Sequence, residues 1–299
     1  MAGAFLLLCL VAYLFQRNLI YFPIRWTEDQ ASRANPGYET VWIPTPEGAR
    51  LHAWMHRNAA SPWTVVITHG NAGNLMFHEP VLALCRDLGL QAILFDYRGY
   101  GLSPGRPTQE GLLLDAQAVV DYLEGSLGIP PVRLVYFGQS LGSGVAALLA
   151  ERRPPGRLIL ESGFPSLARV AAHHYPFLPA GLLLRDRYDV GRALRRISCP
   201  VLFLHPVEDE IIPFELGRAL FAQAKEPKTF VPIPGAHHND AFEVAPAEHR
   251  RAIGEFLKTG RQERPDGGIE DPVTPGPARG STDRPAGATP LPRGAGFRS

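Results

Sequence analysis

Gly138-Gln139-Ser140-Leu141-Gly142 reads G-x-S-x-G. It falls between a β-rich run, Val132–Phe137, and a small apolar helical run, Leu141–Arg152. A serine on so sharp a strand-to-helix turn is held out at the top of a sheet. Bulky neighbours do not fit there, hence the flanking glycines. The helix that starts at Leu141 aims its free N–H groups and positive dipole end at any oxyanion forming on an attacked carbonyl. Ser140 is therefore the candidate nucleophile.

A serine hydroxyl is a weak nucleophile near neutral pH and needs a base and a group to orient that base. In this arrangement the chain order is serine, acid, histidine. Two later loops supply the types in that order. Pro206–Pro213 carries Glu208, Asp209 and Glu210, and Gly235–Asp240 carries His237 and His238. Three adjacent acids on a surface loop are mostly solvated, so at most one turns inward. Glu161, after the preceding strand, is a further acid candidate whose alternative role is to hold loop backbone N–H groups. Only one of two adjacent histidines can face Ser140. His173-His174 lacks the i, i+4 spacing of a helical metal pair. The oxyanion needs two N–H donors. One is Leu141, next after the serine. The other is expected from the loop His69-Gly70-Asn71-Ala72-Gly73-Asn74, at Asn71 with Ala72 as the alternative.

These loops need a scaffold. Glu39–Pro44 and Arg50–His56 flank a turn composition and predict an antiparallel hairpin. Thr64–Thr68, Gln91–Phe95, Val132–Phe137, Arg157–Leu160, Val201–His205 and Lys228–Pro232 follow. Most are continuous apolar runs, the pattern of parallel strands buried on both faces. Helical patterns at Thr108–Leu123, Leu141–Arg152, Pro213–Ala224 and Pro246–Leu257 fall between them. The alternation predicts an α/β domain over 38–258, a mostly parallel sheet with helices on both faces and its site beyond the carboxyl ends of the strands. About 40 residues separate the Leu160 and Val201 strands, so any cap is small or absent and the pocket open.

Both ends differ from this domain. Ala2–Phe15 is an unbroken apolar run of 14 residues. As a helix it spans roughly 21 Å, and roughly 31 Å if continued through Phe22. That is enough to cross a bilayer, with Arg17 snorkelling, Tyr21 and Phe22 at the headgroups and Pro23 as the stop. The expectation is an uncleaved N-terminal anchor over residues 1–23. A signal peptide and a buried amphipathic helix are the rival readings; the run has neither a basic start nor an A-x-A-like cleavage site. Arg17 and Arg25 after the run favour the cytoplasmic side for the domain. Residues 261–299 hold seven prolines and seven glycines with few large apolar side chains, which predicts a disordered tail. Thirty basic and 29 acidic residues leave a net charge of +1, which argues against nucleic-acid binding. Three scattered cysteines, Cys9, Cys85 and Cys199, make neither a disulfide framework nor a zinc site. No metal or organic cofactor is implied.

Six blocks taken in order resemble α/β-hydrolase-fold serine hydrolases, and within them the membrane-anchored subgroup of protein depalmitoylases and their bacterial and fungal relatives. They are Phe15–Pro23, His69–Asn74, Asp96–Ser103, Gly138–Gly142, Asp209–Pro213 and Gly235–Asp240. The resemblance covers about residues 13–258. It implies Ser140, Asp209 and His238 as a catalytic triad, an N-terminal hydrophobic anchor, and an ester or thioester substrate, either a small molecule or an acylated protein. Two positions depart from the family pattern: Pro206 stands where Gly is usual, and His237 where Gly often precedes the catalytic histidine. An aminopeptidase-like peptidase of the same fold is the alternative, but no amine-reading acid or extra domain is found for it. A non-catalytic binding protein on this scaffold is the other alternative.

Overall fold

The structure is a computed structural model and describes residues 2–258. The tail expected over residues 261–299 lies outside them. Eight strands form one sheet: β1 (Glu39–Pro44), β2 (Arg50–His56), β3 (Thr64–Thr68), β4 (Gln91–Phe95), β5 (Leu134–Gln139), β6 (Arg157–Glu161), β7 (Val201–Pro206) and β8 (Lys228–Ile233). Their spatial order is β1-β2-β4-β3-β5-β6-β7-β8. The hairpin β1–β2 is antiparallel and joins β4 antiparallel; every other pairing is parallel.

The helices in chain order are α1 (Ala2–Ile20), α2 (Glu28–Ala34), α3 (Glu79–Asp87), α4 (Gln109–Gly125), α5 (Leu141–Arg152), α6 (Leu167–His174), α7 (Ala180–Leu183), α8 (Val190–Leu194), α9 (Phe214–Phe221), α10 (Ala241–Val244) and α11 (Pro246–Lys258). The continuous apolar runs have a direct cause. Leu134 and Tyr136 of β5 pack with α4 and α5 on one face, while Val135 and Phe137 pack with α3 and α11 on the other. A strand covered on both sides has no polar face to show. The chain begins β5 two residues later than its composition suggests, because Pro131–Arg133 forms a 3₁₀ turn. Proline there fixes φ and cannot donate to the ladder.

Register sets the site. Thr68 lies opposite Gly138, Gln139 opposite Glu161, and His205 opposite Pro232. The loops after β3, β5, β6, β7 and β8 therefore open at one edge of the sheet. The interval between β6 and β7 holds α6, α7 and α8, a small cap whose α7 packs against α1. Helix α1 ends at Ile20 rather than continuing to Phe22. Phe22–Pro23 instead runs parallel to Ala72–Gly73 as a two-residue strand pair.

Candidate active site

Ser140 sits at φ 54° and ψ −120°, a positive φ that a side chain other than glycine's seldom adopts. The turn is held because Ser140 N–H donates to the Glu161 carbonyl at 2.9 Å and Ser143 N–H to the Ser140 carbonyl at 2.9 Å. Glycine is required on either side. A Cβ at Gly142 would collide with the Thr68 and His69 carbonyls, and one at Gly138 with the backbone of Gly142 and Ser143.

His238 Nε2 lies 2.9 Å from Ser140 Oγ, and its Nδ1 lies 2.8 Å from both Asp209 carboxylate oxygens. With the ring proton on Nδ1 facing the carboxylate, Nε2 is free to accept the serine proton. Asp209 is buried and takes two further N–H groups, Ile211 at 3.0 Å and Ile212 at 2.7 Å. Burial pushes its pKa up. The bond and charge of His238, the Ile212 N–H and the nearby His205 outweigh that and hold the carboxyl below the usual carboxylate range. The neighbouring acids brace the same histidine loop by other means: Glu208 accepts Gly235 N–H at 2.9 Å and Glu210 accepts His238 N–H at 3.3 Å. His237 faces outward, Nδ1 3.1 Å from the Glu208 carbonyl. Pro206 does not displace the loop: it pairs with Ile233, and Asp209 still reaches His238.

Glu161 belongs to a different pair. Its Oε1 lies 3.0 Å from His249 Nε2, and His249 Nδ1 lies 2.8 Å from the Ala245 carbonyl. Both groups are buried. Burial presses the imidazolium pKa down, but the Glu161 bond and charge, the Ala245 carbonyl and Glu248 reverse this, so the net direction is upward. This clamp ties α11 to the end of β6, directly behind the serine turn. No motif announces it: Glu161 and His249 are 88 residues apart.

The Leu141 N–H is the first of a helix and has no intrahelical acceptor. On the facing loop, His69 Nδ1 donates to the Gly70 carbonyl at 2.8 Å from a buried position. The Asn71 N–H belongs to the same trans peptide, so it points away from that ring. Burial and neighbouring His78 drive the His69 pKa well down, leaving a neutral ring with its one proton on Nδ1. Tyr100 OH and Phe22 N–H both donate to the Asn71 carbonyl at 2.8 Å, and Asn71 Nδ2 donates to the Ile20 carbonyl at 2.9 Å. The Asp96–Ser103 block thus props this loop; Tyr97 OH also donates to the His69 carbonyl at 3.0 Å. Asn71, Ala72 and Leu141 all line the pocket in front of Ser140.

That pocket holds about 860 Å³ and runs between α1, α6 and α7. No Asp, Glu, Lys or Arg is among its described lining residues. The end of α1 is part of the domain. Buried Gln16 donates from Nε2 to the Leu183 carbonyl at 3.1 Å and accepts from Arg185 N–H at 2.7 Å. Tyr21, placed by its composition at a headgroup level, is buried instead and donates to Asp186 at 2.9 Å. Arg17 lies 3.7 Å from Asp186. A glutamine at the end of an apolar helix was the one visible signal of this seam.

Residues 64–197 match the family model described as alpha/beta hydrolase fold. The chain is 43% identical over 227 residues to Rv2307c of Mycobacterium tuberculosis, covering 75% of this chain and 81% of the relative. It is 34% identical over 255 residues to the α/β hydrolase domain-containing protein WAV2 of Arabidopsis thaliana, covering 76% and 82%. The zebrafish (Danio rerio) lysophosphatidylserine lipase ABHD12 is 33% identical over 216 residues, covering 63% of this chain and 56% of that protein. Among solved structures, the Pyrococcus furiosus esterase Pf2001 superposes with a TM-score of 0.63 at 22% identity, over 80% of this chain and 97% of that one. The sheet order, the serine turn and these likenesses agree, and the chain belongs to the α/β-hydrolase fold family.

Proposed function

We propose that this hydrolase is a serine esterase or acyl-thioesterase working through Ser140, His238 and Asp209. Ser140 Oγ attacks the acyl carbonyl carbon as His238 Nε2 takes its proton. Asp209 orients the ring and stabilises its charged form. The Leu141 and Asn71 N–H groups receive the oxyanion. The tetrahedral adduct collapses to an acyl-enzyme as His238 returns the proton to the leaving alcohol or thiol. Water then repeats the steps and frees the acid. The observation that carries this reading is the hydrogen-bonded line from Ser140 Oγ through His238 to Asp209, opening onto an apolar pocket.

The domain is held at a membrane by α1, the one helix among the described residues long and apolar enough to cross a bilayer. In this reading Arg17 and Arg25, after the apolar run, weakly favour the cytoplasmic side for the catalytic domain. The likeness to protein depalmitoylases and the name of the zebrafish relative both favour a lipid-derived acyl group. The uncharged pocket lining disfavours the aminopeptidase alternative, which needs an acid to read a free amine. A fluorophosphonate probe tests the reading: the full chain should be labelled and Ser140→Ala should not. A panel of esters, acyl thioesters and aminoacyl anilides then fixes the class. Anilide cleavage outpacing ester turnover would move it to the peptidases.

A further inference from the structure

Resting on the hydrolase reading above, we infer that α1 is a wall of the acyl site as well as an anchor, and that a membrane-resident acyl chain lies along it in a side-open groove whose length sets the chain preference.

The lining residues contributed by α1 are Leu8, Val11, Ala12, Gln16, Leu19 and Ile20. Their spacing of three and four is one face of a helix. The opposite wall comes from the cap, with Val170 of α6, Leu183 of α7 and Leu184 just beyond it. The reacting end is fixed, because the Ile20 carbonyl holds the Asn71 side chain while Asn71 and Ser140 both line the pocket. From Ile20 back to Leu8 the helix rises roughly 18 Å. At roughly 1.2 Å per bond in an extended chain, that strip accommodates about fifteen bonds, or about sixteen carbons.

The groove is open along its flank. Leu8, Val11 and Leu19 line it yet keep 45%, 44% and 65% of their surface exposed. On the cap side Phe177, which lines the groove, and nearby Leu182 are 60% and 82% exposed and add apolar surface. A chain entering sideways exchanges lipid neighbours for apolar side chains, with no passage through water. Because the groove is parallel to α1, and α1 crosses the bilayer, the bound chain keeps the direction of a lipid tail. Its carbonyl then meets Ser140 at the end of α1 where the chain leaves the hydrocarbon.

The test is made on full-length protein in micelles, where anchoring no longer limits access. Ala12→Trp fills the groove from α1 and Val170→Trp from the cap. Each should lower the ratio of kcat/KM for p-nitrophenyl palmitate over butyrate by about tenfold or more. Leu14→Trp, on the lipid-facing side of α1, should leave the ratio where it was. Affinity for a fluorescent palmityl ether, measured in the Ser140→Ala background, should fall with the two groove variants and not with Leu14→Trp. Equal responses of Ala12→Trp and Leu14→Trp, or none from either, overturn the proposal. Absence of fluorophosphonate labelling in the wild type would instead sink the hydrolase reading, and ether binding would still judge the groove. On vesicles, a monoacyl lipid ester and an S-palmitoyl peptide separate the two sources of the chain, and sensitivity of either to Ala12→Trp supports the groove.

Discussion

The most exacting demand falls on three side chains carried by three separate loops. Asp209 reaches His238 with both oxygens and is itself held by two backbone N–H groups, so the ring has little freedom to turn. Asp209→Asn should lower kcat by about four orders of magnitude, because the amide no longer holds the ring proton on Nδ1. Steady-state kinetics on a fast ester checks this, with circular dichroism to show that the variant stays folded. The acid pH dependence of stability follows from the same carboxyl. Its pKa is depressed in the folded chain. Its contribution is therefore fully present above the unfolded value of about 3.9 and is lost as pH falls through the lower folded value. The gap in Tm between wild type and Asp209→Asn should narrow on acidification through that range. A gap that widens there would contradict the assignment. Which of Glu208, Asp209 and Glu210 turns inward was not written in three adjacent acids; only the resemblance separated them. The structure separates them by burial, with Asp209 5% exposed and its neighbours on the surface.

At the level of turns and helices, two devices hold these side chains in place. The first is close approach behind the serine turn. Gly142→Ala would drive a methyl group into the Thr68 and His69 carbonyls. It should cost roughly 1–3 kcal/mol of stability and most of the activity, readable as a denaturant midpoint alongside probe labelling. The second is the His249–Glu161 clamp. The folded imidazolium pKa is raised, so its stabilisation is complete below the unfolded value of about 6.5 and is lost as pH rises through the folded value. His249→Ala should destabilise by about 3–5 kcal/mol at mildly acidic pH, and by less at alkaline pH. Thermal melts at both ends of that window test the sign. The strands were legible because burial on both faces leaves only apolar side chains in the run. The serine turn was legible because its steric demands are written in adjacent residues. The clamp was hidden: a glutamate after a strand and a histidine in a helix are ordinary residues until the sheet brings them together.

For the molecule as a whole, the informative departure concerns where the proposed anchor stops. Composition sets it apart as residues 1–23, yet the chain folds its last turns into the domain through Gln16, Tyr21 and the Phe22–Asn71 pairing. Composition could not show this, because an apolar helix facing lipid and one facing an apolar groove use the same side chains. Removing residues 2–12 should release the protein from membranes while preserving fluorophosphonate labelling of Ser140. Removing residues through 23 should release it too, but with labelling slowed by about a hundredfold, because the Asn71 loop loses its two-residue partner strand. Fractionation and labelling rates on the two truncations distinguish these outcomes. The Gln16 bonds to Leu183 and Arg185 have a mechanical consequence. They pin the helix lengthwise, so in the proposed membrane setting α1 does not slide along its axis to suit a thinner or thicker hydrocarbon layer. The altitude of the serine hydroxyl is therefore a fixed dimension of the protein, measured from the span proposed for α1. Vesicles built from progressively longer phospholipids would move the substrate's carbonyl past that height, and turnover should peak at one bilayer thickness.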